Sequence, residues 1–230
     1  MIDFMNLKIS FGKKIIVKEM NDQFSENKII GLVAPNGTGK TTLLRTLAGI
    51  KKPADGYVKI NGLDFYSERE EYLKQIFFLE NSDQLYANLT AQDHFNFTKC
   101  AWHSSVDPNA IIRMLKMDSY KNIPIRKLSL GMKQHVLIGM YAISDAPILL
   151  LDEPMNGLDP TSLRIVNNLL RSLKENGKTI IFSSHDLTNV HTICDEVLFL
   201  HAQKVIIVEN TRDIKQSYDE LYLYEDVILP

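Results

Sequence analysis

The chain has 230 residues, of which 45% are hydrophobic and 23% are charged, as is typical of one globular domain with its own core. Lys and Arg number 26 against 28 Asp and Glu, so the net charge is −2 and no basic excess favours nucleic acid. This composition excludes a disordered tail, a collagen-like rod and a coiled coil. The two distant cysteines exclude a disulfide framework and indicate reduced thiols.

Strands and helices alternate along most of the chain. Strands are predicted on either side of 12–13, over 29–33, as a pair within 53–80 with turns at 55–56 and 61–62, over 148–151, over 179–183, and as a hairpin of 197–200 with 205–208. Helices are predicted over 40–48, 161–175 and, with breaks at Pro108 and Pro124, most of 83–145. This order predicts an α/β core with an inserted helical subdomain.

We therefore predict a single domain over 1–230. Its core covers about 1–80 and 145–213, and its helical subdomain covers about 81–144. The tail from 214 onward is predicted to be partly helical. Its tyrosines, Tyr218, Tyr222 and Tyr224, form either a small packing stripe or a docking surface.

The turn between the strand at 29–33 and the following helix has the pattern of a phosphate-binding loop. It reads Ala34, Pro35, Asn36, Gly37, Thr38, Gly39, Lys40, Thr41, Thr42. Gly37 and Gly39 allow successive backbone N–H groups to point into one concavity at a helix N-terminus. Lys40 can then reach the outer phosphates of a nucleotide, and the Thr41 hydroxyl is suited to ligate Mg²⁺. Ala34 stands where the pattern has glycine, which is tolerable only if its φ is negative.

Four further stretches carry candidate chemistry, in the order 128–134, 148–154, 156–159 and 183–186. In the second, a buried strand ends in Asp152 and Glu153, at the edge of the sheet where ligands bind. Asp152 is expected to face the Mg²⁺ and Glu153 to polarise a water. Ser129 is a good N-cap, which alone indicates no more than a helix start. His185 follows the strand at 179–183.

Taken in order, the phosphate loop and these four stretches resemble the nucleotide-binding subunit of ATP-binding-cassette (ABC) transporters, over about residues 2–213. The resemblance implies a P-loop NTPase core with an antiparallel β subdomain and an inserted α-helical subdomain. It implies that Phe11 stacks on adenine, although a core position for Phe11 is the alternative. Ser129 and Gly131 would contact the γ-phosphate of ATP on a second cassette, with Asp159 at the dimer seam and His185 at the γ-phosphate.

Two positions depart from that family's pattern besides Ala34. Leu130 replaces the commonest glycine of the signature motif, in a form similar to exporters with separately encoded membrane subunits. Where the family has a metal-binding glutamine, counting back from Leu89-Thr90 gives Asn81, which is one methylene shorter. Gln84 could replace it only if the loop slips.

The resemblance thus implies an ATPase that uses ATP and Mg²⁺ to power export. No apolar stretch approaches the ~18 residues of a membrane span, so a separate transmembrane subunit is expected, docked around residues 80–105. The chain would lie at the cytoplasmic face of the membrane, paired with a second copy or another cassette. Two alternatives remain: a soluble mechanical ATPase, and a weakly hydrolysing regulatory half of a cassette pair.

Overall fold

The computed structural model describes residues 1–210 and 214–223. Its strands are β1 (Ile2–Phe11), β2 (Lys14–Val17), β3 (Gln23–Phe24), β4 (Ile29–Val33), β5 (Asp55–Ile60), β6 (Leu63–Asp64), β7 (Ile76–Leu79), β8 (Ile148–Leu151), β9 (Thr179–Ser184), β10 (Glu196–His201) and β11 (Lys204–Glu209). Its helices are α1 (Lys40–Leu47), α2 (Arg69–Lys74), α3 (Ala91–Ala101), α4 (Pro108–Met114), α5 (Leu130–Ser144), α6 (Pro160–Glu175), α7 (Leu187–Ile193) and α8 (Ile214–Tyr222).

A six-stranded sheet in the order β11-β10-β4-β9-β8-β7 forms the centre of the molecule. Its strands from β10 to β7 are parallel, and β11 adds an antiparallel edge. Side chains alternate between two hydrophobic cores, because successive residues of a strand point to opposite faces. In β8, for example, Leu149 and Leu151 face one core, whereas Ile148 and Leu150 face the other. The carboxyl ends of β4, β9, β8 and β7 therefore meet at one edge.

The second sheet is antiparallel, in the order β2-β1-β5-β6, with β3 also paired to β1. Its apolar face and helix α1 share a core with one face of the parallel sheet. The hairpin of β1 and β2 places Phe11 directly opposite Lys14. This small sheet thereby brings its first hairpin beside the loop that follows β4.

Helices α3, α4 and α5 occupy most of the predicted helical subdomain. A reciprocal capping box of Thr90 and Asp93 starts α3. The predicted break at Pro108 lies between α3 and α4, and Pro108 itself opens α4, because proline is well suited to the first helical position. Helix α5 ends inside the core: the Tyr141 hydroxyl lies 2.7 Å from the Leu79 carbonyl oxygen and 2.6 Å from that of Leu150. Burial raises the pKa of this phenol.

Several local predictions were wrong in detail. The Asp55-Gly56 pair is not a turn; it starts β5 at a register irregularity opposite β1, where Gly56 has φ +69°. The predicted pair within 53–80 is β5 with the two-residue β6, and the same segment also contains α2 and the core strand β7. Helix α7 was not predicted. The hairpin of β10 and β11 is confirmed.

The described part of the tail packs on the core. The Tyr222 hydroxyl in α8 donates to the Leu200 carbonyl oxygen at 2.9 Å, and its ring contacts Tyr218 and His201. This arrangement fits a packing stripe for Tyr218 and Tyr222, whereas Tyr224 lies outside the described residues. In the parts of the chain that the structure describes, no helix combines the length and the apolar character that crossing a membrane requires.

Candidate functional site

The loop after β4 has the backbone that a phosphate cradle needs. Gly37 and Gly39 take φ values of +77° and +121°, which L-residues rarely adopt. A Cβ at Gly39 would lie 2.4 Å from a methyl carbon of Ile16, so the loop packs against β2 without room for a side chain. Ala34 has a negative φ, so the methyl group that replaces the expected hydrogen causes no strain. The loop ends at the N-terminus of α1, where free N–H groups attract anions.

Lys40 folds back over this loop. Its ammonium is buried and donates a 2.7 Å hydrogen bond to the Ala34 carbonyl oxygen. The same nitrogen lies 3.5 Å from Oε1 of Glu153 at the end of β8. Lys40 is thus held between the first residue of the loop and the acidic pair.

Glu153 follows β8 and contacts residues at the end of β9. Its backbone N–H donates to the Ser183 hydroxyl of β9 at 2.8 Å, and its Oε2 lies 2.9 Å from Nδ1 of His185. Its own backbone is left-handed, with a φ of 46°. This conformation is unfavourable in free energy for any residue that has a Cβ atom. A glutamate with these contacts can orient a water molecule or take up its proton.

In the other acid, Asp152, each carboxylate oxygen accepts one hydroxyl hydrogen bond. Thr41 donates to its Oδ2 at 2.6 Å and Ser183 donates to its Oδ1 at 2.5 Å. Hydroxyl and carboxylate oxygens are the donors that Mg²⁺ prefers, and Mg²⁺ commonly uses one or two carboxylates together with substrate phosphates. Among residues 1–210 and 214–223 no group of three or more His, Cys, Asp or Glu side chains could hold a metal alone. The donor set therefore fits a magnesium ion that is shared with a nucleotide.

Lys40, Thr41, Asp152 and Glu153 line one open cleft of about 460 Å³, whereas Ser183 and His185 lie outside its lining. Its lining comprises Phe11, Lys14, Ile16, Asn36, Gly37, Gly39, Lys40, Thr41, Thr42, Arg45, Glu80, Asn81, Asp152 and Glu153. Phe11 is 60% exposed, so its alternative assignment to the core is wrong. One face of its ring lies 5.7 Å from the Lys51 ammonium. Three loop residues, Ala34, Pro35 and Thr38, lie outside this lining. The Thr38 hydroxyl instead donates to the Pro35 carbonyl oxygen at 2.7 Å.

Asn81 lines the cleft, whereas Gln84 does not. The Asn81 side chain caps the short 3-10 turn Ser82–Gln84 by accepting from the Asp83 N–H at 2.9 Å. The Gln84 side chain turns back and accepts from the Glu80 N–H at 3.0 Å. The structure thus brings Asn81 to the edge of the cleft, and its amide oxygen already has a backbone partner.

Beside Asn81, Arg45 of α1 grips Glu80 with two hydrogen bonds of 2.7 and 2.6 Å. This pair holds the pKa of the Glu80 carboxyl below its usual range. It ties the end of β7 to the helix that carries Lys40 and Thr41. Because the planar guanidinium donates two parallel hydrogen bonds to one carboxylate, the contact is geometrically specific.

The remaining predicted residues lie in a second cleft of about 500 Å³, which shares none of the first cleft's lining. Ser129 caps α5 through the Met132 N–H, and Asp159 caps α6 through the N–H groups of Thr161 and Ser162. Those hydrogen bonds, together with the Ser162 hydroxyl, lower the pKa of Asp159. Gly131 packs against the backbone at Gly157. A Cβ added at position 131 would lie 3.1 Å from the Gly157 carbonyl oxygen.

The sequence prediction missed four residues that line the first cleft: Lys14, Ile16, Arg45 and Glu80. Ser183 belongs to the predicted stretch 183–186, but the prediction gave it no role. Ser183 carried a signal, since it is a hydroxyl at the end of a buried strand beside the acidic pair. Lys14, Arg45 and Glu80 carried none, because their contacts join segments that are far apart in sequence.

Comparison with known proteins agrees with this geometry. The family model described as "ABC transporter" matches residues 17–156. The lantibiotic transport ATP-binding protein SrtF of Streptococcus pyogenes is 33% identical over 225 residues, covering 96% of each chain. The bacitracin transport ATP-binding protein BcrA of Bacillus licheniformis is 32% identical over 199 residues, covering 85% of this chain and 65% of that protein.

Solved structures share the fold at lower sequence identity. An ATP-binding subunit of an ABC transporter has a TM-score of 0.86 at 22% identity, covering 95% of this chain and 98% of the other. A dimeric ATP-binding cassette in a post-hydrolysis state, bound to ADP and phosphate, has a TM-score of 0.79 at 22% identity, covering 93% of this chain and all of the other. Motifs, geometry and relatives agree: this chain belongs to the ABC transporter family, as one of its ATP-binding, ATP-hydrolysing subunits.

Proposed function

We propose that this chain hydrolyses ATP in the first cleft and thereby drives export through a separately encoded transmembrane subunit at the cytoplasmic face of the membrane. One observation carries the proposal. The carboxyl ends of β4, β9 and β8 bring both Lys40 and His185 into contact with Glu153, beside a loop with the backbone of a phosphate cradle. Such convergence at one sheet edge is where α/β proteins bind and transform ligands.

Each residue has a distinct part in this proposal. The loop backbone over 34–40 and the Lys40 ammonium hold the phosphates and stabilise the charge that develops on the γ-phosphoryl group. Lys40 exchanges its bond to the Ala34 carbonyl for the nucleotide. Glu153 orients the attacking water in line with the bond that breaks, and His185 fixes Oε2 of Glu153. Phe11, exposed at the cleft rim, stacks on adenine.

Thr41 and Asp152 would hold Mg²⁺, with Asn81 as a third polar residue of the same cleft. When bound, the ion would neutralise part of the charge on the β- and γ-phosphates. Ser183 donates to Asp152 and accepts from the Glu153 N–H, so it orients both acids at once.

The second cleft would act on a nucleotide held by another cassette, either a second copy or a different chain. Ser129 and the first N–H groups of α5 form an anion-binding end, and Leu130 is 55% exposed beside them. Asp159 would lie at the seam. The lining of the second cleft includes a cation, Lys116, but none of the phosphate loop, so it would act on a nucleotide that another cassette holds.

We place the membrane subunit at a third cavity, of about 650 Å³, between α2, the end of α3 and the start of β8. It includes Leu73, Trp102 and Ser104, two of which lie within the predicted docking range of 80–105. Leu73 is 38% exposed there. A groove that touches both the core sheet and the helical subdomain is suited to transmit relative movement between them. The subdomain division at 81 and 144 is part of this proposal.

The exported compound would be a peptide-like or otherwise amphipathic molecule. Two relatives bear the names of lantibiotic and bacitracin transport proteins, and another, from Burkholderia lata, that of a Nod factor export protein. These names describe the relatives. They favour export of such compounds here over import of a nutrient.

Substitution of Glu153 tests the proposal that the chain hydrolyses ATP in the first cleft. We expect Glu153→Gln to keep ATP affinity and to lose at least about 10²-fold in turnover, since the amide cannot take up the proton of the attacking water. Turnover and binding are measured on the same preparation. Glu175→Gln, at an exposed glutamate that ends α6, is the matched control and should behave as wild type. Full turnover in Glu153→Gln would contradict the assignment.

Co-purification tests the transport part. The tagged chain, drawn from detergent-solubilised membranes of its native cell, should bring down a multi-span membrane protein in stoichiometric amount. Leu73→Glu should abolish this, because it places a charge in the docking cavity. Met114→Glu, at an exposed methionine of α4 outside that cavity, should not. A ribosomal or DNA-bound partner would instead support the mechanical ATPase.

One observation favours the alternative of a weakly hydrolysing regulatory half. The amide oxygens of Asn81 and Gln84 both accept backbone N–H groups, so neither points freely at the metal position. Ala34, by contrast, gives that alternative no support, because its φ is negative. Turnover of the wild-type chain reconstituted with its membrane partner distinguishes the two.

A further inference from the structure

A second lysine lines the first cleft, which is called the nucleotide cleft from here on. This lysine belongs to none of the motifs found in the sequence. Lys14 begins β2, directly opposite Phe11 in the hairpin. Residues directly opposite each other in an antiparallel pair point to the same face. Both side chains therefore project toward the cleft, and both belong to its lining.

The Lys14 ammonium reaches the phosphate loop. It donates a 2.8 Å hydrogen bond to the carbonyl oxygen of Gly37, across 23 residues of sequence. It thus lies between the exposed ring of Phe11 and the loop that holds the phosphates. A lysine ammonium has three N–H donors, so two remain after the bond to Gly37.

The charges of the cleft set Lys14 apart from the other two cations. Lys40 lies 3.5 Å from Glu153 and Arg45 forms a 2.6 Å ion pair with Glu80. Asp152 is engaged by the hydroxyls of Thr41 and Ser183. Within the ranges 1–210 and 214–223, Lys14 is the cleft cation that has no carboxylate partner.

We propose that Lys14 is a nucleotide-binding residue, whose free N–H groups contact a phosphate that ADP and ATP share while one N–H keeps hold of Gly37. The inference rests on the proposed function, since it takes Phe11 as the base contact and the loop as the phosphate contact. Lys40 acts on the outer phosphate. Lys14 acts on the part of the polyphosphate nearer the ribose, where it adds affinity for product and substrate alike.

The test compares Lys14→Met and Lys14→Arg with Lys13→Met. Lys13 is an exposed lysine in the turn before β2 and does not line the cleft, so its variant matches the loss of charge. Dissociation constants for ADP and ATP, each with magnesium, are measured calorimetrically at low and at high salt. We expect Lys14→Met to weaken both nucleotides by about tenfold at low salt, as for a partly exposed charged hydrogen bond. The loss should shrink at high salt, with Lys14→Arg retaining most of the affinity and Lys13→Met all of it.

Three results would overturn the inference. They are wild-type affinity in Lys14→Met, a loss for ATP alone, and an equal, salt-independent loss in Lys14→Arg and Lys14→Met, which would indicate that Lys14 only shapes the loop. Failure of the proposed function looks different, because wild-type chain would then bind neither nucleotide. Melting temperatures measured on the same samples confirm that each variant is folded.

Discussion

The two clefts differ in how their polar groups are occupied. In the nucleotide cleft, charged and polar side chains contact one another: Lys40 lies 3.5 Å from Glu153, and the Thr41 hydroxyl donates to Asp152. In the second cleft, Ser129 and Asp159 bind only backbone N–H groups or hydroxyls of their own helix starts. The first cleft is thus organised to receive a ligand with its own charges, whereas the second offers helix starts and one lysine in its lining, Lys116.

This difference teaches what each cleft can do alone. Preformed pairs reduce the reorganisation needed when a nucleotide binds, so the first cleft can hold one without help. A helix end attracts an anion but fixes neither its orientation nor its metal. We therefore expect the second cleft to act only when another chain presents a phosphate to it.

The strongest test of that division mixes two disabled chains. Lys40→Ala removes the cation of the nucleotide cleft. Ser129→Asp keeps a good N-cap but places a negative charge where a phosphate would approach. Each variant alone should lose nearly all turnover, whereas a 1:1 mixture should recover about a quarter of the wild-type rate, because random pairing leaves one intact composite site in half of the dimers.

Ser129→Asn is the matched control, since asparagine caps the helix without a charge and should lose far less turnover. A mixture that stays inactive, from a wild-type chain that is itself active, would break the comparison. It would mean that both clefts serve a nucleotide within one chain.

A smaller effect is expected from Ser183→Ala, which sharpens the account of the nucleotide cleft. The hydroxyl donates to Asp152 and accepts from the Glu153 N–H, so its loss leaves both groups short of a partner. We expect turnover to fall roughly 10- to 100-fold and the magnesium concentration for half-maximal rate to rise. Ser184→Ala is the control, because that hydroxyl serves only the Asp186 N–H among the hydrogen bonds of the described residues. Equal rates in the two variants would contradict the role of Ser183.

The smallest effect is expected from removal of the ion pair between Arg45 and Glu80. The pKa of Glu80 is lowered in the folded protein, so its stabilisation is present above the unfolded value of 4.5 and is lost as the pH falls through the folded value. Glu80→Gln should therefore lower the melting temperature by roughly 2–4 °C at pH 7 and by less at about pH 3. Glu71→Gln, which breaks a fully exposed pair, should change little at either pH. If the melting temperatures of Glu80→Gln and wild type differed by the same amount at both pH values, the contact between Arg45 and Glu80 would not be ionic.

The sequence predicted those parts of the molecule whose signals are local. The phosphate loop, the buried strands β4, β8 and β9 and the hairpin of β10 and β11 each lie in one continuous stretch, with turns that their glycines or polar residues mark. Their meeting at one edge followed from the rule for parallel sheets. The separation of Ser129 from Lys40 was also implied, through the family resemblance.

Other features could not be predicted, because they exist only after the chain has folded. Lys14 meets Gly37, Arg45 meets Glu80 and Tyr141 bridges two strands, each across many residues. Strand β7 was missed for another reason. It is a four-residue apolar run directly after a short charged helix, too short for its period to be read. Helix α7 did carry a cap signal, in Asp186, that could have marked its start.

The left-handed backbone of Glu153 has a consequence for how this protein responds to selection. Glycine and asparagine adopt a φ of 46° at less cost than glutamate does, so the residue that best suits the fold at this position is not the one that the proposed mechanism needs. A library of all side chains at 153, sorted for folded yield alone, should be enriched in Gly and Asn. The same library sorted for ATP turnover should return Glu. Directed evolution of this protein for stability, without an activity screen, should thus select against the glutamate to which we assign the attacking water.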